Sequence, residues 1–297
     1  MQAETTPDAK LGSARLRFVL AVLLYGTIGP VVRFIALPSE VIVLFRGAFG
    51  SLFVWLFMGM RGQSLDRRAS RANLRWLVTS GICLGLNWIF LFAAYVHTTV
   101  AIASLCNYMA PIIVIALSPV VFGERIGPKR LACVIAAFVG IMLVSGVLSS
   151  GAAEVDLVGI ALGLLAAAAF VGIVICNKKI VGVGAFDKVV VQLGTSAATV
   201  LPYALVKNGG LPLAGVDVRS WALLACICLV QTGIAYVFYF GAMGELPVTE
   251  IALLGYIEPV VSVLGSALFL HEPLGVAGAI GAAMVIVAAA AGEVIRE

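Results

Sequence analysis

Charged side chains are scarce in this chain. Asp, Glu, Lys and Arg together make up 11% of its 297 residues, against about 25% in a soluble domain. So few charges exclude a water-facing surface over most of the chain. There are only two histidines, His97 and His271, far apart at loop edges. The six cysteines, Cys83, Cys106, Cys133, Cys176, Cys226 and Cys228, all fall in apolar stretches and show no zinc-like spacing. That pattern excludes a metal cluster and a disulfide framework and leaves buried thiols. There is no Walker A loop, no His-Glu-x-x-His and no nucleophile elbow. ATP hydrolysis and the common hydrolase chemistries are therefore not expected. A basic domain with interleaved aromatics is missing too, so the net charge of +4 does not point to nucleic acid.

What the chain has in excess is apolar sequence. The AVILMFWYC set makes up 62% of it, accompanied by 32 glycines and 11 prolines. Both of these residues are commoner in transmembrane helices than in soluble ones. A membrane span needs about 20 apolar residues. Ten windows meet that need: 17–36, 41–60, 74–95, 100–122, 129–147, 157–176, 188–206, 219–241, 247–270 and 274–292. Lys10, Arg15 and Arg17 before the first window imitate a signal peptide, but Arg33 and Pro38 spoil the cleavage region.

The second half repeats the first. Asn107-Tyr108-Met109-Ala110-Pro111 returns as Gly255-Tyr256-Ile257-Glu258-Pro259, and Glu124 and Gly127 return as Glu272 and Gly275. The offset is 148 positions throughout. The expected fold is therefore an all-α integral membrane protein. Its ten transmembrane helices form two five-helix repeats, residues 1–150 and 151–297. An odd number of spans per repeat inverts one repeat relative to the other, the plan that gives alternating access to a site at mid-depth. Placing the N-terminus in the cytoplasm puts fifteen of the nineteen Lys and Arg on that side. Only Lys207 and Arg219 fall outside, with Arg33 and Arg46 inside spans. This positive-inside bias puts both termini in the cytoplasm.

The chemistry is expected where polarity enters the spans. Proline removes one N–H and displaces the carbonyl four residues earlier, that of Asn107 for Pro111 and of Gly255 for Pro259. Freed carbonyls in hydrocarbon need partners, so the breaks beside Tyr108 and Tyr256 are candidate ligand sites; a packing kink is the plainer alternative. Glu258, midway along the ninth window, suits a proton carrier, a ligand for a substrate ammonium or half of an ion pair. Arg46 is its candidate partner or an anion ligand, with snorkelling to the interface as the alternative. Arg33 snorkels or pairs with Glu40. Asn87 and Trp88 on helix 3, and Gln231 and Tyr236 on helix 8, complete the candidate substrate-binding set. Tyr95 and Tyr239 lie nearer span ends and read as interface anchors; His97 reads as a solvated loop residue. Gly26 and Gly29-Pro30 allow helix 1 to bend. Gly275, Gly278 and Gly281 recur every three residues on the last helix and suit close helix contact, within the molecule or in a homodimer.

The motif residues carry a family likeness. Pro111 followed by Gly123-Glu124-Arg125-Ile126-Gly127, echoed by Pro259 and His271-Glu272-Pro273-Leu274-Gly275, resembles the repeated motif of EamA-type transporters in the drug/metabolite transporter superfamily. The likeness covers nearly the whole chain. Within the superfamily the chain is most similar to the YddG aromatic amino-acid exporter group, in length and in its Arg46-bearing second helix. The resemblance implies a ten-helix protein of a bacterial inner membrane that moves small metabolites outward as a secondary transporter. It implies a cavity between helices 1–4 and 6–9, with helices 5 and 10 peripheral. The expected activity is amino-acid export, with aromatic amino acids among the candidate substrates. The expected partners are a small-molecule substrate and membrane lipid, without a cofactor, metal or nucleic acid. Drugs, nucleosides or sugar phosphates on the same fold, and a scaffold or intramembrane enzyme, are the alternatives.

Overall fold

In the computed structural model, residues 7–110, 112–113, 127–144, 156–246, 251, 254–255, 257–272 and 275–294 are described. Among them all regular structure is helical. The first half contains α1 (Pro7–Gly26), α2 (Ile28–Val32), α3 (Ser39–Met60), α4 (Arg67–Ala72), α5 (Leu74–His97), α6 (Val100–Asn107) and α7 (Pro128–Val144). The second contains α8 (Leu157–Lys179), α9 (Ala185–Asn208), α10 (Val218–Cys228), a π-helical segment Leu229–Ile234, α11 (Ala235–Met243), α12 (Ile257–Phe269) and α13 (Val276–Val294). Among the described residues six helical stretches are long and apolar enough to cross a membrane: Leu11–Val32, Ser39–Met60, Leu74–His97, Leu157–Lys179, Ala185–Asn208 and Val218–Met243. Leu131–Gly140, Ile257–Phe269 and Val276–Ala288 are shorter apolar helices. Large apolar side chains such as Met60, Val206 and Leu268 stand exposed on the outside, as a lipid-facing surface requires. The chain folds as a multi-pass membrane protein.

Capping residues set several helix starts. Asp66, Asp156 and Asp217 each accept from backbone N–H groups at the starts of α4, α8 and α10. The N–H groups of Gly159 and Val158, with His97 alongside, hold the Asp156 carboxyl below its usual range. A lowered carboxylate stabilises above its unfolded value and loses that effect as pH falls through the folded one. The cap on α8 therefore persists at neutral pH. His97 Nδ1 lies 3.3 Å from Asp156, so this half-exposed histidine, read from sequence as a loop residue but the last residue of α5, helps to join α5 to α8.

Helix 1 begins and ends earlier than its apolar window. Arg17 lies within α1, and its guanidinium pairs with Glu245 at 2.8 Å. The helix breaks at Thr27, whose hydroxyl donates to the Leu24 carbonyl at 2.7 Å; Pro30 cannot donate to the carbonyl of Gly26. Helix 4 is interrupted as well: α6 ends at Asn107, and Tyr108 and Met109 form a turn. Pro111, Glu124 and Tyr256 lie outside the described residues.

The helices form two facing groups. One contains α5, α6 and α8; the other contains α1, α11 and α12. Helices α3 and α9 pack on each other and bridge the groups, and α7 pairs with α13. Glycines permit the closest crossings. A Cβ on Gly140 would meet the Gly281 carbonyl at 2.8 Å, so this part of the glycine stripe on α13 is used within the molecule. A Cβ on Gly81 would lie 2.8 Å from the Gln192 carbonyl and 2.6 Å from Thr195 Cβ. Gly81→Val must push α5 and α9 apart, and a loss of about 2–3 kcal/mol is expected, read as a lower unfolding temperature in detergent.

Candidate functional site

A cavity of about 340 Å³ lies between the two groups, within the usual size range of small-molecule sites. Helix α5 contributes Asn87, Trp88, Phe92 and Tyr95 to its wall. Ser104, Asn107 and Tyr108 come from α6 and the turn after it, and Arg46 from α3. The opposite wall carries Tyr25 of α1, Tyr236, Tyr239 and Phe240 of α11, and Glu258 and Ser262 of α12. At one end the cavity reaches Asn177, in the last turn of α8, and Met243, the last residue of α11. That end lies by Lys178, Lys179 and Arg17.

Arg46 is the dominant charge. It is 5% exposed, and its Cζ sits 3.9 Å from the centroid of the Trp88 ring. Its Nε donates to Thr232 Oγ1 at 3.0 Å. Stacking and hydrogen bond together fix the guanidinium plane. Among the described residues it has no ion-pair partner. The Arg46–Glu258 ion pair considered from sequence is not formed. Arg33 pairs with Glu272 at 3.9 Å rather than with Glu40. Glu40 is instead held by Lys207 at 3.1 Å and Asn208 at 2.9 Å.

Glu258 lies in the first turn of α12 and faces the Tyr108 hydroxyl. Its placement depends on Gly26. A Cβ there would stand 2.7 Å from the Glu258 carbonyl and 2.6 Å from Val261 Cβ. Without a side chain, α1 lets α12 press inward. Asn87 has a supporting task, because its Nδ2 donates to Asn107 Oδ1 at 2.9 Å and to the Ala166 carbonyl at 2.8 Å. It ties α5 to α6 and α8 and orients Asn107. Ser262 donates to Ser104 at 2.8 Å, and the Tyr95 hydroxyl lies 3.3 Å from the same Ser104 oxygen.

The rest of the wall is aromatic. Tyr25 and Tyr236 meet edge to face at 5.7 Å, and Tyr236 stacks on Phe240 at 5.6 Å. Among the described residues the buried Tyr25 hydroxyl has no hydrogen-bond partner. The cavity thus offers a fixed cation, a carboxylate and flat apolar surfaces.

Six of the eight sequence candidates line this cavity: Arg46, Asn87, Trp88, Tyr108, Tyr236 and Glu258. Gln231 does not; it lies buried behind the wall, where its Nε2 donates to Thr27 Oγ1 at 2.6 Å. Tyr256 lies outside the described residues. Tyr95 and Tyr239, taken from sequence as interface anchors, belong to the wall, because α5 and α11 present whole aromatic faces to it. Asn107, noted from sequence for its backbone carbonyl, lines it too; Tyr25, Ser104, Asn177, Gln192 and Ser262 also line it and were not singled out from sequence. Each is a polar or tyrosyl side chain inside an apolar run, a signal shared with many packing residues.

Comparison with known proteins agrees with this architecture. The pattern of the EamA-like transporter family matches the chain twice, over residues 13–146 and 157–291. The pseudopaline exporter CntI of Pseudomonas aeruginosa is 28% identical over 280 residues, covering 94% of this chain and 95% of its own length. The uncharacterized transporter YxxF of Bacillus subtilis is 24% identical over 284 residues, covering 93% of this chain and 90% of its own. One solved crystal structure, 21% identical, superposes with a TM-score of 0.65 over 94% of this chain and 97% of that one; this likeness concerns the fold alone. The two named relatives are transporters, not enzymes.

Proposed function

Because the chain belongs to the EamA-like transporter family, we propose that it exports amino acids, aromatic ones among them, by alternating access to the central cavity. The observation that carries the substrate class is Arg46. It is a buried cation, held flat on Trp88 at the cavity wall, without a carboxylate partner among the described residues. A substrate carboxylate completes it with a bidentate pair. Glu258 and Tyr108 receive the ammonium, and the Tyr25, Tyr236 and Phe92 surfaces receive the side chain. The likeness to the YddG aromatic amino-acid exporter group favours aromatic substrates, and the naming of one relative as an exporter favours the outward direction.

The proposed frame is ten spans in two inverted repeats, with both termini in the cytoplasm of a bacterial inner membrane. Several facts support it. The family pattern matches twice, in halves close to those of the 148-residue repeat. The packing partners also exchange with the halves: α5 on α8 corresponds to α11 on α1, and α6 on α8 to α12 on α1. The positive-inside bias then makes the Lys178–Lys179 end cytoplasmic.

Counterflow in liposomes tests the reading. Internal unlabelled phenylalanine or tyrosine is expected to drive accumulation of the radiolabelled amino acid. Absence of exchange with every neutral amino acid, together with competition by phosphate esters, would replace the amino acid with an organic phosphate. Gly26→Val is expected to displace Glu258 and lower this exchange at least roughly ten-fold without loss of membrane insertion. Unchanged exchange in that variant would separate Glu258 from the site.

A further inference from the structure

The end of the cavity remote from Lys178 and Lys179 is tied shut by one carboxylate. Glu272, after α12, accepts the N–H of Val100, the first residue of α6, with its two oxygens at 2.9 and 3.2 Å. Its side chain is 11% exposed. Arg33 Nη2 stands 3.9 Å from the same carboxylate, while Arg33 Nη1 donates to the Tyr95 carbonyl near the end of α5. Thr99 completes the start of α6 by accepting from the Ile102 N–H at 3.1 Å. The Glu272–Val100 and Arg33–Tyr95 bonds cross from the α1–α11–α12 group to the α5–α6–α8 group. At the opposite end, Arg17–Glu245 joins α1 to the residues after α11. Asn73–Val181 joins the start of α5 to the residues after α8. Each of those two contacts stays inside one group.

We propose that Glu272 is the gate latch of the transporter: it holds the two helix groups together at the end bearing Arg33, and in doing so positions α6 in the cavity wall. The physical basis is local. A carboxylate at a helix start meets both an orphan N–H and the positive end of the helix dipole. Arg33 supplies a counter-charge from the second group and a hydrogen bond to the first. Helix α6 has only eight residues and carries Ser104 and Asn107, with Tyr108 just beyond. The same bond therefore closes one end of the cavity and sets part of its wall. Opening that end must break the Glu272–Val100 bond, so this contact biases the equilibrium between the two facing states. The inference rests on the alternating-access reading and not on the substrate class.

The test uses the full chain with its six cysteines replaced and Leu91→Cys placed on the cavity wall, in vesicles of known sidedness. A membrane-impermeant maleimide is expected to label this cysteine from the Lys178–Lys179 face and hardly at all from the Arg33 face. Glu272→Gln is expected to raise labelling from the Arg33 face about ten-fold, whereas Glu272→Asp keeps the parent pattern. An unchanged rate in Glu272→Gln overturns the latch. Should Glu272→Gln fail to fold, Thr99→Cys at the start of α6 and Glu272→Cys, joined across the two groups by a bifunctional thiol reagent, provide the second measurement. Joining is expected to restore one-sided labelling, and persistent two-sided labelling overturns the proposal. Equal labelling of the parent from both faces would instead refute alternating access itself.

Discussion

Arg46→Gln is expected to lower transport about a hundred-fold at limiting substrate. Truncating one partner of a buried, hydrogen-bonded charge pair costs about 2–5 kcal/mol, and about 2.7 kcal/mol is a factor of a hundred. The effect should fall on apparent affinity, because Arg46 lines the cavity and has no ion-pair partner among the described residues to release. Arg46→Lys keeps the charge but loses the planar fork and the stack on Trp88, so it rescues only in part. Trp88→Leu removes the ring beneath the guanidinium, a loss of roughly 1–2 kcal/mol and of about ten-fold in transport. Substrate titration of uptake by the three variants checks this order. Equal losses in Arg46→Lys and Arg46→Gln would leave fork geometry as the essential property, and no loss in either would remove Arg46 from the site.

Glu258→Gln has the second large effect. It is expected to abolish the response of export to a transmembrane pH gradient while leaving the unfolding temperature unchanged or higher. The two outcomes share one cause. A carboxylate within a span costs about 2.5–3.5 kcal/mol on insertion scales, and glutamine relieves part of that cost. In the proposed reading the same carboxylate, facing Tyr108 across the cavity, is the group that a proton and a substrate ammonium compete for. Flux measured with and without an imposed gradient, beside thermal unfolding, separates function from stability. A full pH response in Glu258→Gln would place the proton elsewhere.

Much of the fold is visible in the sequence because lipid leaves little choice. Apolar runs of about 20 residues must become helices, and the six long apolar helices among the described residues overlap six of the ten expected windows, whereas the short polar α4 lies between two of them. What sequence conceals depends on who meets whom. The start of helix 1 is misplaced because the helix runs on from Pro7 through polar residues that the apolar window leaves out, and Arg17 within it finds Glu245, 228 positions away. Arg33 and Glu40 look like neighbours in the chain, yet the packing of α3 on α9 gives Glu40 to Lys207, and the end of α12 gives Glu272 to Arg33.

Within the site, Arg46 and Glu258 are legible because an ionisable residue inside a span is rare and costly. Gln231 misleads for a local reason. The π-helical turn at Leu229–Ile234 breaks the regular phase of the helix, about 100° per residue. Gln231 turns to Thr27, while the less conspicuous Thr232 meets Arg46. Tyr95 and Tyr239 mislead because depth in the membrane was inferred from position in the run, whereas the cavity extends almost to the helix ends. Asn87 was legible as polar but not as a support: its bond to Asn107 appears only when α5 and α6 are side by side.

Calorimetric titration of the purified protein with an aromatic amino acid and with its carboxamide tests the central claim most directly. The pair differs only at the carboxylate assigned to Arg46. The account predicts that the carboxamide binds the wild-type chain at least about ten-fold more weakly, and that Arg46→Gln binds the two compounds alike. Equal binding of acid and carboxamide by the wild-type chain, or an undiminished preference for the acid in Arg46→Gln, would contradict it.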